Sequence, residues 1–228
     1  MSSFIFISLA MFTLWVFVLL LSEETRKEQL VMSVIGLVLS PAILLMAANN
    51  ERNWAGLMSL GYEDFLFSFA MFGIAAVIYQ AATGRQAKPI KRRRRKLKNR
   101  ALHWLAHLLI ISGLWLLMSL LANLIFALNP FQAFMVGGLL IGLYIVADRR
   151  DLMINAVFSG LFIAILIFAL EKVFLLKLFP EATQGFMNLG QAAGPTLAGV
   201  PLAEIFWAAI VGFTVGPLYE YVRYLRLK

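Results

Sequence analysis

The sequence contains no cysteine, only two histidines and only twelve acidic residues among its 228 positions. Without cysteine, the chain forms no disulfide and offers no thiolate ligand to a metal. Charged residues make up 14% of the chain, whereas about 25% is usual in soluble domains. Hydrophobic residues make up 61%. The composition therefore excludes a disulfide-stabilised module and an ordinary soluble domain, and it favours an integral membrane protein.

Motifs for metals and cofactors are also scarce. His103 and His107 are four residues apart, which is a metal-ligand spacing on a helix, but no third ligand stands near them. The chain has no phosphate-binding glycine motif and no serine nucleophile motif. The last apolar run lacks a lysine that would carry a retinal Schiff base. The sequence predicts no metal site and no cofactor.

Long apolar runs are what the chain does have. A membrane-spanning helix needs about 20 apolar residues, and on that basis we predict seven spans. They lie at residues 4–21, 30–48, 57–82, 102–127, 131–147, 152–176 and 199–222. The predicted fold class is all-α, and the partner that surrounds the chain is membrane lipid.

Positive charge is concentrated in one loop. Half of the twenty lysines and arginines fall between Arg85 and Arg100, with the densest run from Lys91 to Lys98. We expect this loop to lie in the cytoplasm against anionic headgroups. Alternating spans then place the N-terminus outside and the C-terminus inside the cytoplasmic membrane, with seventeen basic residues inside and three outside. No base-reading pattern accompanies the charges, so nucleic acid is not an expected partner.

Two of the apolar runs carry the same polar pattern. Asp64 lies near the start of the third span and Glu204 near the start of the seventh. In each, a tyrosine followed by a Gln or Glu stands fifteen residues later. We therefore predict two parallel three-helix repeats joined by a linking helix. The expected parts are a first repeat at 1–84, a basic loop at 85–101, a linking helix at 102–128 and a second repeat at 129–228.

The repeated acids are the candidate catalytic residues: Asp64, Glu204 and, beside the first, Glu63. A carboxyl group inside an apolar span is costly, and this suggests a function. A protonated carboxyl in an apolar cavity is a proton donor, and aromatic faces stabilise a developing cation. The predicted substrate-binding residues are Tyr62, Phe67, Phe206 and Trp207. The alternative is that the acids cap helix starts at the interface.

Other polar residues have simpler interpretations. We expect Tyr79-Gln80 and Tyr219-Glu220 to anchor their helices at the cytoplasmic interface, with Glu220 paired to Arg223 or to Arg149. We expect Asn155 and Ser159 to form interhelical hydrogen bonds. A further candidate is Glu171, at the outer end of the sixth span, where it would face the same outer cavity as Glu204.

The segment from Pro201 to Trp207, with its counterpart from Gly61 to Phe67, resembles the motif of the membrane, non-flavin lycopene cyclase family. That family carries a Pro-x-Glu-Glu-x-x-Phe-Phe-like motif in each three-span half, and fused members insert a linking span. In this chain, Ala203 stands where the second motif would have its first acid, and Gly61 replaces the proline of the first. The chain resembles a divergent fused member.

The resemblance implies acid/base cyclisation of a long isoprenoid or carotenoid end group without a redox cofactor. Asp64 and Glu204 would be acid and base, with Glu63 assisting. Two alternatives remain open at the level of sequence. One is a non-catalytic membrane protein of the same fold that binds lipid or serves in assembly, as the loss of an acid at Ala203 suggests. The other is a small transporter, since parallel repeats with buried acids also suit ion coupling.

Overall fold

Helices form nearly all of the regular structure. A computed structural model describes residues 4–47, 61–89, 100–178 and 195–227. Its α-helices are α1 (Phe4–Leu21), α2 (Arg26–Ala47), α3 (Tyr62–Thr83), α4 (Arg100–Phe126), α5 (Pro130–Asp148), α6 (Met153–Leu170), α7 (Leu202–Val215) and α8 (Leu218–Arg223). A 3-10 turn at Arg150–Leu152 precedes α6, and a π-helix at Glu171–Leu178 follows it. The short strands are β1 (Ala87–Pro89), β2 (Thr196–Leu197), β3 (Val200–Pro201) and β4 (Leu225–Leu227).

Within the residues that the structure describes, five stretches are long and apolar enough to cross a membrane. They are Tyr62–Thr83, Trp104–Phe126, Phe131–Asp148, Arg150–Phe174 and Leu202–Arg223. Helix α1 is apolar but shorter over its described part, Ile5–Leu21. The helical class and the membrane character expected from the sequence are therefore confirmed. The basic run from Lys91 to Lys98 and the first residues of the third predicted span, 57–60, lie outside the described residues.

Helix α3 lies at the centre of the bundle and α4 at its edge. Of the α3 span, 72% is buried, against 28% of the α4 span. The outer face of α4 presents Leu109, Leu124, Ile125 and Phe126, all more than half exposed. An apolar surface of this size requires a hydrophobic surrounding. Lipid supplies that surrounding, because water around these side chains would be strongly unfavourable.

Three helices meet around Gly73 of α3. The Trp15 indole N–H donates a 2.8 Å hydrogen bond to the Ser33 hydroxyl, which joins α1 to α2. Both side chains lie against Gly73, and a Cβ atom at that position would overlap them. Glycine is therefore required here, since small residues let membrane helices approach closely. This contact fixes α1 and α2 on α3.

Helices α6 and α7 pack backbone to backbone. A Cβ atom on Gly212 would lie 2.5 Å from the Ser159 carbonyl oxygen. The run from 202 to 223 then breaks at Gly216-Pro217, because Pro217 has no N–H to continue the helical ladder. The Asn155 amide donates to the Gly216 carbonyl at 3.2 Å and satisfies one of the groups beside this break. The seventh predicted span is thus two helices, α7 and α8.

Four loops meet at one end of the bundle. Strand β1 pairs antiparallel with β4, with Ala87 opposite Leu227. The Gln86 side chain donates to Glu24 at 2.7 Å, and Arg149 donates to the Leu225 carbonyl at 2.7 Å. These are segments that the charge pattern assigns to the cytoplasm, and the structure brings them together. We call this the loop end of the bundle.

Candidate functional site

Asp64 caps the start of α3. Its Oδ2 atom accepts a 3.1 Å hydrogen bond from the Gly61 backbone N–H, the arrangement of a capping box. Glu63 is the acidic neighbour with which Asp64 interacts electrostatically. The carboxyl of Asp64 therefore has a structural partner, which is the helix-capping role that the sequence left open as an alternative. Its catalytic use stays a prediction.

Glu204 lies in the first turn of α7 and has a different acidic neighbour. The β2–β3 hairpin leads into this turn, and the Leu202 N–H donates to the Pro195 carbonyl at 3.0 Å. The carboxyl of Glu204 interacts with that of Glu171, which begins the π-helix and is 8% exposed. Two acids thus interact electrostatically where α6 passes into a π-helix, a local irregularity that is frequent at functional sites.

Among the described residues, the predicted acids fall into two groups. Glu63 accompanies Asp64, and Glu171 accompanies Glu204. Glu171 was predicted to face the same outer cavity as Glu204; the two carboxyl groups interact electrostatically, and the shared cavity stays a prediction. A direct pairing of Asp64 with Glu204 stays a prediction, because the contacts of each acid are with its own group.

The four predicted substrate-binding aromatics are divided between the interior and the surface. Phe67 is buried in the core cluster, and Trp207 is partly buried with its ring stacked 6.4 Å from that of Phe131. Tyr62 is 68% exposed and Phe206 58% exposed. The buried pair belongs to the packing between helices, whereas the exposed pair faces the surroundings of the bundle.

One small apolar cavity lies between α2, α3, α4 and α5. Its volume is about 10 Å³, and it is lined by Leu39, Phe72, Ser112, Trp115, Leu116 and Phe134. Sites for drug-sized ligands are usually about 300–1,000 Å³. No acidic side chain lines this cavity, so it is separate from the carboxyl groups described above.

A second polar cluster is buried near the loop end. The Gln80 amide nitrogen donates to Glu28 Oε2 and to Glu220 Oε1, each at 3.0 Å. The Asn155 amide donates to the same Glu220 oxygen at 2.8 Å. Asn155 thus forms the interhelical bonds that the sequence predicted, through Glu220 and Gly216. The 3.1 Å bond that Ser159 donates to the Asn155 oxygen lies within α6. We call Glu28, Gln80, Asn155 and Glu220 the amide–acid cluster.

The sequence placed this cluster in the wrong environment. Gln80 and Glu220 were expected at an interface, with Glu220 paired to an arginine, yet Glu220 is fully buried and bonded to amides. Arg149 instead binds Asp151 at 2.7 Å, and this bond raises the pKa of the Arg149 guanidinium. The usable signal was the equal position of Gln80 and Glu220 in the repeated sequence pattern, since the structure brings these two residues into contact.

Within residues 4–47, 61–89, 100–178 and 195–227, no group of three or more His, Asp or Glu side chains is arranged to hold a metal ion. Comparison with known proteins does not identify a family, because no family model, curated protein or solved structure matches the chain.

Proposed function

We propose that the chain is an integral membrane protein of seven spans that resembles lycopene cyclases. It cyclises the end group of a long isoprenoid or carotenoid by acid/base chemistry and uses no redox cofactor. The observation that carries this proposal is a pair of carboxyl groups, the buried Glu171 and the partly buried Glu204, inside otherwise apolar spans. Ionisable groups in such spans are rare and usually functional.

The helix packing supports two parallel three-helix repeats. Helix α3 packs on α1 and α2, and α7 packs on α5 and α6 in the same pattern. The linking helix α4 packs on α5. The amide–acid cluster repeats this relation, since the second and third helices of each unit contribute one acid and one amide. These are Glu28 with Gln80 in the first unit and Asn155 with Glu220 in the second.

The orientation follows from charge. The loop end carries Arg26, Arg85, Lys88, Arg149 and Arg226, and the opposite end of the bundle carries the Glu171–Glu204 pair. Basic residues near short loops favour the cytoplasm. The loop end and the C-terminal strand β4 therefore face the cytoplasm, and the N-terminal end of α1 faces outward.

The reaction requires one proton to be given and one to be taken back. A protonated carboxyl adds its proton to the terminal alkene, and the resulting cation is attacked by a neighbouring alkene, which closes the ring with a new C–C bond. A carboxylate then removes a proton from an adjacent carbon, so the product is an isomer of the substrate. Because the donor ends ionised and the acceptor ends protonated, adjacent acids such as Glu171 and Glu204 can exchange the proton and restore the starting state.

In this scheme Glu204 and Glu171 exchange the proton, and the Asp64–Glu63 group is the second candidate for donor. Asp64 reaches the reaction only if its bond to the Gly61 N–H leaves the other carboxyl oxygen free for substrate. Trp207 lies in α7 close to Glu204 in sequence, and its ring is stacked on that of Phe131. In this scheme Trp207 supplies an aromatic face for the cation.

The test is expression in cells that accumulate lycopene, followed by chromatography of the extracted carotenoids. The wild type should yield a cyclised isomer of unchanged mass. Glu204→Gln and Glu171→Gln should lower the yield by about 100-fold or more, while Glu24→Gln, an exposed acid at the loop end, should not. If wild-type protein is present in the membrane and no cyclic product forms, the carotenoid version of the proposal is wrong.

A second candidate is a non-catalytic membrane protein of the same fold. It is favoured by the capping role of Asp64 and by the small size of the cavity between α2, α3, α4 and α5, about 10 Å³. This candidate predicts that Asp64→Asn and Glu204→Gln leave the protein folded and its cellular phenotype unchanged. Loss of phenotype in a well-folded Glu204→Gln protein would count against it.

A further inference from the structure

The amide–acid cluster holds two carboxyl groups on one amide. Gln80 Nε2 bonds to Glu28 Oε2 and to Glu220 Oε1 at 3.0 Å each, so these two oxygens lie at most twice that distance apart. Glu28 is 4% exposed and Glu220 is 0% exposed. Two negative charges this close, away from water, repel each other strongly.

Each acid also has one oxygen without a partner. Glu28 Oε1 and Glu220 Oε2 are buried and accept no hydrogen bond from any described residue. Leaving a buried acceptor unsatisfied is unfavourable, more so when it is charged. Unpaired buried oxygens on two neighbouring acids indicate that a positively charged species or a proton belongs between them.

The cations around the cluster do not bond to its two free oxygens. Arg149 interacts electrostatically with Glu220; it donates hydrogen bonds to Asp151 and to the Leu225 carbonyl, and its buried Nη1 atom has no partner. Arg223 interacts with Glu28, and its guanidinium lies over the Trp104 and Tyr219 rings, 5.1 and 5.6 Å from their centroids. Tyr219 is a titratable group that interacts with both acids. The two arginines reduce the net negative charge without bonding to the two free oxygens.

We propose that the amide–acid cluster binds one monovalent cation, either Na⁺ or a proton, between Glu28 and Glu220. Carboxylate oxygens are the ligands that hard cations prefer, and Ca²⁺ would need about six to eight oxygens, which is more than the cluster offers. The path by which a cation would reach the cluster is short, because Glu28 lies in the first turn of α2 and Gln80 in the last turn of α3, both at the loop end. This inference does not depend on the proposed cyclase chemistry.

The experiment measures the melting temperature of the full-length protein purified in detergent. At about pH 8, NaCl is compared with choline chloride at equal ionic strength; in choline chloride, the pH is then lowered to about 5.5. If the species is Na⁺, the melting temperature rises by about 5 °C in NaCl, because a ligand of the folded state stabilises it. If it is a proton, NaCl has no effect and the melting temperature rises as the pH falls, since the folded state then binds the extra proton.

Glu24 provides the matched control. Glu24 accepts a hydrogen bond from Gln86 at 2.7 Å at the same end of the bundle, but this acid–amide pair is exposed to solvent. The shift should persist in Glu24→Gln and be lost in Glu28→Gln and in Glu220→Gln. An equal shift in all three variants would overturn the proposal.

A second measurement decides the question in case a cluster variant does not fold. It uses a protein with Glu171→Gln and Glu204→Gln, so that these two carboxyl groups do not contribute to the signal. Infrared spectroscopy at about pH 8 should show the carbonyl band of a buried protonated carboxylic acid if the species is a proton, and ²²Na⁺ should bind at one per chain if it is Na⁺. If this protein shows neither a sodium effect, nor a pH effect, nor bound ²²Na⁺, nor that infrared band, no cation is bound and the proposal is wrong.

Discussion

Gln80 and Glu220 are 140 residues apart in the chain, and their side chains share a buried 3.0 Å hydrogen bond. Gln80 lies in the last turn of α3 and Glu220 lies in α8, so the bond joins these two helices at the loop end. The same amide nitrogen also binds Glu28. The Gln80 side chain thus links three helices, and its removal should destabilise the packing of all three.

Replacing Gln80 with leucine should destabilise the protein strongly. The two carboxyl groups would keep their burial and lose their shared donor, which we expect to cost about 3–5 kcal/mol of unfolding free energy. Gln86→Leu is the control, because Gln86 is exposed and its change should stay within about 0.5 kcal/mol. Equilibrium unfolding in detergent measures both, and equal effects would show that the buried amide has no special role.

Gly212→Ala should loosen the contact of α6 with α7. The new Cβ atom would lie 2.5 Å from the Ser159 carbonyl oxygen, so one helix must move, at about 1–3 kcal/mol. At Gly113 of α4, nothing lies within 4 Å of an added Cβ atom. Gly113→Ala should therefore be neutral or stabilising by up to about 1 kcal/mol. Thermal melts of the two variants test the close packing. If both variants have the same melting temperature, the inferred close contact at Gly212 is wrong.

Two substitutions of Asp64 distinguish a helix-capping role of this residue from a catalytic role. Asp64→Ala removes the acceptor for the Gly61 N–H and should cost about 0.5–2 kcal/mol of stability. Asp64→Asn keeps a side-chain acceptor and should stay near wild-type stability. The decisive measurement is cyclised product from Asp64→Asn: a folded but inactive variant assigns Asp64 to the reaction, and a folded, active one leaves it as a cap.

Cysteine labelling tests the proposed orientation, and the natural absence of cysteine makes it free of background. Lys88 and Thr196 are both exposed in short strands, β1 and β2. In intact cells a membrane-impermeant maleimide should label Thr196→Cys and leave Lys88→Cys unlabelled until the membrane is permeabilised. The opposite result would invert the topology.

Cross-linking tests the strand pairing at the loop end. Ala87 and Leu227 are paired positions of β1 and β4. A protein carrying Ala87→Cys and Leu227→Cys should form an intramolecular disulfide on mild oxidation, since paired strand positions have Cα separations of about 4.5–5.5 Å. Ala87→Cys with Thr196→Cys is the control and should stay reduced, because the two strands pair with different partners.

Much of the helical plan was predictable because lipid imposes a simple rule on sequence. A span such as Phe131–Asp148 is continuously apolar, and its start is marked by Asn129, whose side chain accepts from the Gln132 N–H, and by Pro130 at the first helical position. Hydropathy and turn residues alone place this helix almost where the structure has it. The break at Pro217 was less visible, because a proline within an apolar run is tolerated where a side chain such as Asn155 bonds to the exposed backbone.

The polar interior was harder to predict for a physical reason. Gln80 and Glu220 each stand near a helix end, where sequence alone cannot separate an interfacial anchor from a buried group. What decides is the neighbouring helix that covers the position, and that is a property of packing. The environments of the acids were also a matter of packing. Asp64 accepts a hydrogen bond from the Gly61 N–H at the start of its own helix. Glu204 instead interacts electrostatically with Glu171, which follows α6, a helix that packs on α7.

The pairing of β1 with β4 also bears on how the chain is made. Strand β1 leaves the ribosome before α4, α5, α6, α7 and α8, and its partner is made only after all of them. Until β4 has been made, the N–H and C=O groups of β1 therefore have no strand partner and hydrogen-bond to water, while the rest of the bundle enters the membrane. Contacts this distant in sequence form slowly, because a long loop must be ordered first. The strand pair should thus form only after helices α4 to α8 have been made, and it should be among the last contacts of the bundle to form.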